Sequence, residues 1–420
     1  MGLLDLSGQL MTQIAVKECT DQSAKVVERL LELGQISDEP GVLTRTFLSP
    51  AMRAANEKVG ECMQEAGLEV SLDDWGNITG RLASMNPAAK TLVLGSHLDT
   101  VRNAGRYDGM LGVLLGLAAC EELQRDSHRL PFHIDVIGFS DEEGVRFHST
   151  YLGSKAMAGL ITKEDLKLTD AAGVSLAKAV GKGEVLPVAR YSAGDLLGYV
   201  EAHIEQGPVL EAEGCALGVV TAIAAQSRCS CTFTGLAGHA GTTPMSLRQD
   251  ALAGAAEFIC RVEKLGRETA GLVATVGHIE VQPNVSNVIA QSVVLSIDIR
   301  HEQYSVVGST LTQLVEQGNL VARERRLGFS IAEVQASNAV KCDPALTAAL
   351  SRAVEKDQPM VPRLVSGAGH DGVIFSRLAP IAMLFVRCRR GLSHHPDEYV
   401  EQKDIGAALQ ALVSFIRELA

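Results

Sequence analysis

The sequence predicts an α/β protein, in which a mostly parallel mixed sheet covered by helices is interrupted by a smaller inserted α+β unit. Short apolar runs such as 92–94 and 132–139 (FHIDVIGF) alternate with helical periodicity, as in sheets buried on both faces. Between residues 215 and 329 longer strands surround two helices, and beyond them the α/β texture returns. At 420 residues the chain also exceeds the size at which one core keeps growing.

Apolar positions three and four apart predict helices over 25–34 and 50–66. A short strand at 92–94, a helix at 109–124, a strand at 132–139 and a strand at 198–204 (GYVEAHI) follow. The middle of the chain reads as β-rich at 216–235, helical at 246–264, extended at 272–281 and 292–299, helical at 308–323 and extended near 329–335. This β-α-β-β-α-β order is that of a ferredoxin-like unit. Helices at 344–355, 371–377 and 402–418 and a strand at 381–387 complete the pattern. The expected division is a discontinuous catalytic domain, 1–214 with 330–420, and an inserted lid, 215–329.

Composition narrows the function. Hydrophobic residues make up 46% and charged residues 21%, as in a globular protein. The most apolar stretch, 109–120 (GMLGVLLGLAAC), is too short and glycine-rich to cross a bilayer, so no membrane partner is expected. A net charge of −12 lacks the basic stripe that nucleic acid requires. Residues 1–22 have neither the basic start nor the apolar core of a secretory signal. Nine cysteines with no CxxC pair suit a reducing compartment, and the expected location is cytoplasmic. Gly181-Lys182-Gly183 lacks the remainder of a phosphate loop and reads as a surface turn.

The chemistry gathers where strands end. His97 and Asp99 lie in GSHLDT, Asp108 in GRYDG, and Glu142 and Glu143 in a DEEG cluster after the 132–139 strand. His203 closes the 198–204 strand, and His394 and His395 follow the 381–387 strand in SHHPDE. Ligands in open α/β sheets collect at the carboxyl ends of strands. Imidazole and carboxylate suit Zn²⁺, Mn²⁺ or Co²⁺, and one carboxylate can hold two ions. Such ions lower the pKa of bound water towards 7. Of two adjacent glutamates, one can bind metal while the other moves the water's proton. Asp99 is placed to fix the His97 tautomer. Singly, a strand-end histidine is more often a hydrogen-bonded core residue, and DEEG could be an acidic helix start. The ordered set favours a metal centre. His128, His133, His148, His278 and His301 have no such company and read as structural or surface residues.

GSHLDTV, the aspartate of YDG, FSDEEGVRF, YVEAHIEQGPVLE, GHAGTTPM, PNVSNVIA, SGAGHD and GLSHHPDEYV occur in this order from about residue 40 onward. Together they resemble the allantoate amidohydrolase and N-carbamoyl-L-amino-acid amidohydrolase group of the dinuclear metallopeptidase superfamily, which also holds aminoacylases and carboxypeptidases. The resemblance implies two divalent ions, Mn²⁺ first and Zn²⁺ or Co²⁺ as alternatives. It places His97, Asp108 and His394 on one ion and Asp108, Glu143 and His203 on the other, with Asp108 bridging and Glu142 as general base. His394, not His395, matches the family's S-H-x-P pattern. A cis Asp108–Gly109 bond is also implied. In the lid, His239 matches an oxyanion donor acting across a homodimer, and Asn287 and Arg300 match residues holding a substrate carboxylate. Gln206 matches a polar substrate contact, and His370 and Asp371 remain weaker site candidates.

The implied reaction is hydrolysis of a ureido (carbamoyl) C–N bond on a small anionic carboxylate. SDEEGVRFHSTYLGS, HIEQGPVLE and MLFVR with GLSHHPDE favour allantoate, giving ureidoglycine, CO₂ and ammonia. N-carbamoyl-L-amino acids are the alternative, followed by ureidoglycolate and by dipeptidase or aminoacylase activity. A non-catalytic binding protein on this fold would be expected to lack a ligand or the base, and all are present.

Overall fold

The computed structural model describes residues 22–125 and 129–420. Most of the segment read against a secretory signal, and His128, lie outside the described residues. The first part of the chain forms α1 (22–33), α2 (Pro50–Glu65), β1 (Glu69–Leu72), β2 (Ile78–Leu82), β3 (Thr91–His97), α3 (Met110–Arg125) and β4 (His133–Phe139). Next come α4 (Leu152–Met157), α5 (Leu176–Val180), β5 (Leu196–Ile204), α6 (Val209–Glu213) and β6 (Leu217–Ile223). The middle holds β7 (Ala225–Thr234), α7 (Ala251–Glu268), β8 (Val273–Gln282), β9 (Ser292–His301), α8 (Tyr304–Arg325) and β10 (Gly328–Ser337). The chain closes with β11 (Val340–Lys341), α9 (Pro344–Glu355), β12 (Arg363–Ser366), α10 (Gly372–Phe375), β13 (Ile381–Val386) and α11 (Gln402–Leu419).

Two compact units result, one from the segments up to Thr221 and from Cys342 onward, the other Ala222–Lys341. The first contains a mixed sheet in the order β1-β2-β4-β3-β5-β13-β6-β11, with β12 beside β6. Its centre, β4-β3-β5-β13, is parallel, while β1, β2, β6 and β11 join antiparallel. Central strands buried along their whole length explain the continuous apolar runs of β4 and β13. Helix α3 is buried all round from Met110 to Ala119, the interior packing that its apolar sequence requires. Local chemistry fixes the helix starts: Ser49 accepts from the Met52 N–H ahead of Pro50, and Asp343 accepts from Ala345 and Leu346 ahead of Pro344. A satellite cluster of Phe47, Trp75, Phe147, Leu152 and Leu176 anchors the segment after β4.

The second unit is a four-stranded antiparallel sheet in the order β10-β7-β9-β8, connected β-α-β-β-α-β through α7 and α8, which is the ferredoxin-like arrangement. Strict alternation of buried and half-buried residues along β9 shows one face packed beneath the helices.

The unit boundaries depart from 215 and 329. Strand β6 pairs with β13 in the large sheet, and β10 pairs along its length with β7 in the small one. Both ends of the insertion are β-rich, so strand pairing, which composition does not encode, sets the limits. The 69–82 hairpin was not foreseen, because β1 is a short, mostly exposed strand without an apolar period.

Candidate metal centre

Register brings the candidate residues to one edge of the large sheet. His97 ends β3 opposite Phe139 of β4, after which Asp141, Glu142 and Glu143 turn out of the sheet. His203 of β5 lies opposite Phe385 of β13, whose following loop carries His394. Asp108 sits in the loop between β3 and α3. The turn after it is made by Gly109 at φ 71°, where an added Cβ would lie 2.5 Å from the His97 ring. The bond between Asp108 and Gly109 is not cis; the cis peptide among the described residues is Gln282–Pro283. Glycine's freedom at positive φ supplies the chain reversal at this point.

Asp108 is the hub. Its Oδ1 lies 3.0 Å from His203 Nε2 and 3.4 Å from His97 Nε2, and its Oδ2 lies 3.3 Å from His394 Nε2. His394 Nε2 is also 3.3 Å from Glu143 Oε1. Potential ligand atoms thus gather as His97–Asp108–His203 and as Asp108–Glu143–His394. This corrects the expected partition, which placed His394 with His97 and Glu143 with His203. Strands β3 and β5 are neighbours, so their terminal histidines share one side of Asp108. A further potential group joins His97 to Glu142 and Glu143.

The donor chemistry fits a cation at each group. His97 Nδ1 is 3.0 Å from the Asp99 carbonyl and His203 Nδ1 is 2.9 Å from the Ile204 carbonyl. A carbonyl only accepts, so each Nδ1 carries a hydrogen, and each ring turns Nε2 towards Asp108. Nε2 facing a carboxylate oxygen is satisfied by a proton on the ring or by a metal ion between the two, so the same atoms can serve as ligands. Asp108 Oδ1, buried and without a hydrogen-bond partner, awaits the same thing.

Electrostatics agree. Burial works to raise the Asp108 carboxyl, but its contacts with His203, His394 and His97 hold it well below the usual range. Contacts with Asp108 and Glu143 raise His394 to about 10. Burial drives Glu142 well above the ordinary carboxylate range, with Glu143 and Asp371 adding to it and His97 opposing. Without an ion, protonated imidazoles balance the acidic cluster; an ion would replace those protons.

Asp99 adjoins His97, the residue whose tautomer it was expected to fix, with Oδ1 3.6 Å from His97 Nδ1. Its backbone carbonyl fixes the His97 ring, while its carboxylate accepts from the Glu142 N–H at 3.0 Å and the Glu143 N–H at 3.1 Å. The side chain therefore anchors the turn that carries both glutamates. Gln206, expected at the substrate, donates from Nε2 to Asp108 Oδ2 at 3.0 Å. Ser393, not singled out in the sequence, donates to the same oxygen at 2.6 Å. Glu398 was also missed, although both residues lie in the same GLSHHPDEYV run as His394. His370 is buried against the His203 ring, with Nε2 2.7 Å from Ser366 Oγ, and Asp371 accepts from Ser154 Oγ at 2.5 Å. His395 is exposed and accepts from the Asp397 N–H. His133 and His301 are structural: each ring accepts a backbone N–H, from Ser84 and Gln303 respectively.

The second unit holds His239, Asn287 and Arg300. His239 bridges to Val288, and the Ala240 N–H donates to the Asn287 carbonyl, so the two exposed residues sit on adjoining segments. Arg300 is elsewhere. It lies opposite Gln226 near the start of β7, whereas the His239 loop leaves from the other end, after Thr234, which is opposite Ser292. Eight residues of strand separate those two positions on β9 (Ser292 to Arg300), roughly 26 Å at about 3.3 Å per residue. Within one chain Asn287 and Arg300 therefore do not converge on one small carboxylate. Arg300 forms a forked pair with Asp298, at 2.7 and 2.9 Å.

Comparison with known proteins bears on the family. The chain is 40% identical to an allantoate deiminase of Arabidopsis thaliana, over 93% of this chain and 81% of that one. It is 38% identical to an N-carbamoyl-L-amino acid amidohydrolase of Geobacillus stearothermophilus, over 95% and 99% respectively. The crystal structure of an amidase of the hydantoinase/carbamoylase family from Burkholderia multivorans superposes with a TM-score of 0.87 at 32% identity, covering 94% of this chain and 97% of that one. Residues 93–418 match peptidase family M20/M25/M40, and the chain belongs to that family.

Proposed function

We propose that the protein hydrolyses a ureido (carbamoyl) C–N bond on a small carboxylate, and that allantoate is the substrate, giving ureidoglycine, CO₂ and ammonia. One observation carries this reading: a single buried carboxylate, Asp108, faces two groups of potential ligands, and Glu142 adjoins one of them. His97, Asp108 and His203 would hold one divalent ion and Asp108, Glu143 and His394 the other, with Mn²⁺ favoured over Zn²⁺ or Co²⁺. When bound, the pair polarises the carbonyl and lowers the pKa of water. Glu142 takes the proton of the attacking water and delivers it to the leaving nitrogen.

Arg300 offers a guanidinium fork to the substrate carboxylate, and Gln206 supports the centre through Asp108. His239 and Asn287 serve the site of the other subunit in a homodimer, a reading supported by their distance from Arg300 along β9. No described helix is long and apolar enough to cross a membrane. The acidic composition and the scattered cysteines with no CxxC pair support a cytoplasmic enzyme of small anions.

Allantoate is favoured by the 40% identity to an allantoate deiminase. N-carbamoyl-L-amino acids are the second reading, favoured by end-to-end similarity to a carbamoylase. Ammonia release from Mn²⁺-loaded protein, measured with allantoate beside N-carbamoyl-L-amino acids and ureidoglycolate, separates them. Preference for any of the others overturns the allantoate assignment and leaves the metal centre standing.

A further inference from the structure

Glu398 is only 3% exposed and reaches Asp108 from almost the far end of the chain. Its Oε1 accepts from the backbone N–H of Tyr107 at 2.7 Å and of Asp108 at 3.0 Å. Its Oε2 lies 3.3 Å from Ser393 Oγ, and that hydroxyl donates to Asp108 Oδ2 at 2.6 Å. The single hydroxyl hydrogen goes to Asp108, so Glu398 holds Asp108 directly through the backbone, and otherwise by fixing the segment that carries Ser393 and His394. The fit is close: a Cβ on Gly105 would lie 2.3 to 2.4 Å from the Glu398 side chain, so the loop needs glycine there. Tyr399 packs edge-on against Tyr107 with ring centroids 5.9 Å apart, which fixes the same two segments together.

The bond through Ser393 is asymmetric. It reaches Oδ2, the oxygen that faces His394, whereas Oδ1 faces His97 and His203. His394 is on the same short segment as Ser393 and Glu398. Two loops separated by most of the sequence, one carrying Asp108 and one carrying His394, are thereby set in register by a single buried carboxylate. A carboxylate acceptor of two backbone N–H groups is a strong, directional tie, and removing it leaves those donors buried and unpaired.

We propose that Glu398 is a positioning residue: it holds Asp108 and His394 in ligand geometry and selectively sets divalent-ion affinity at the Asp108–Glu143–His394 position. This rests on the two-ion reading above. Partners of metal ligands typically contribute 10- to 100-fold in metal affinity.

The test is stepwise Co²⁺ titration of metal-stripped full-length protein, followed by visible absorption and calorimetry, with apo-protein melting alongside. Wild type is expected to bind two equivalents. In Glu398→Ala one equivalent should weaken about 10- to 100-fold with an altered Co²⁺ spectrum, while the other stays within about threefold. Glu398→Gln, which retains the accepting oxygen, should recover most of the loss. If the alanine variant does not fold, Glu398→Asp, which withdraws the accepting oxygens by one methylene from the Tyr107 and Asp108 N–H groups, carries the same test. Wild-type affinities in the folded variants, or equal weakening of both equivalents, would overturn the inference. Wild type that binds fewer than two equivalents overturns the two-ion reading itself, and the inference with it.

Discussion

His203 Nε2 lies 3.0 Å from Asp108 Oδ1 while the Nδ1 of the same ring donates to the Ile204 carbonyl at 2.9 Å. With Nδ1 committed to that carbonyl, Nε2 is the atom left to meet Asp108, through a proton or through a metal ion that displaces it. Chelation should therefore abolish hydrolysis and lower the melting temperature, and Mn²⁺ should restore both. Ion present at about 100 times its dissociation constant adds about 2.7 kcal/mol to stability. Full activity in protein shown by elemental analysis to be metal-free would remove the centre.

Glu142→Gln tests the division of labour between adjacent glutamates. The amide keeps the shape but cannot take a proton. Turnover should fall by about 10²- to 10⁴-fold with both metal equivalents retained. Near-normal turnover would assign the proton transfer elsewhere.

Asp99→Asn addresses the anchor of the DEEG turn. One carboxylate oxygen accepts from Glu142 and the other from Glu143, and asparagine can replace only one of them. The unpaired buried donor should cost about 1–3 kcal/mol, read as a lower melting temperature, with ion affinity reduced as the turn relaxes. An unchanged melt and unchanged metal titration would reduce Asp99 to a bystander.

Arg300→Ala should raise KM by at least about tenfold, the scale of losing one charge-assisted bond, and leave metal affinity alone. The substitution removes one partner from Asp298, which keeps Arg228 and Gln226. An unchanged KM would exclude Arg300 from substrate binding.

The distance between Arg300 and the His239–Asn287 segments leads to a complementation test. His239→Ala and Asp108→Ala should each be inactive as homodimers. Mixed and reassembled, they should recover roughly a quarter of wild-type activity, since half the dimers would then hold one complete site. No recovery in verified mixed dimers would place His239 in the site of its own chain.

Much of the architecture was legible because periodicity reports burial. The apolar runs of β3, β4 and β13 marked central strands, and the histidines at the ends of β3 and β5 pointed to the site. The pairing of ligands was not legible, since it depends on β3 lying beside β5, a matter of strand order. The bond from Gln206 to Asp108 was not legible either, since it depends on a turn at φ 56°. Ser393 and Glu398 act on a residue nearly three hundred positions away, and hydrogen bonds of that span leave no local pattern. The edge hairpin of β1 and β2 was missed because an exposed strand need not alternate.

The Cys342 N–H donates to the Thr221 carbonyl at 2.9 Å, so the chain leaves the large sheet and re-enters it at hydrogen-bonded neighbours. To the large sheet, everything between β6 and β11 is formally a single loop. The entropy of closing a loop grows only with the logarithm of its length. The inserted segment is therefore free to lengthen, shorten or be exchanged for another module without shifting the register of a single strand that carries a ligand.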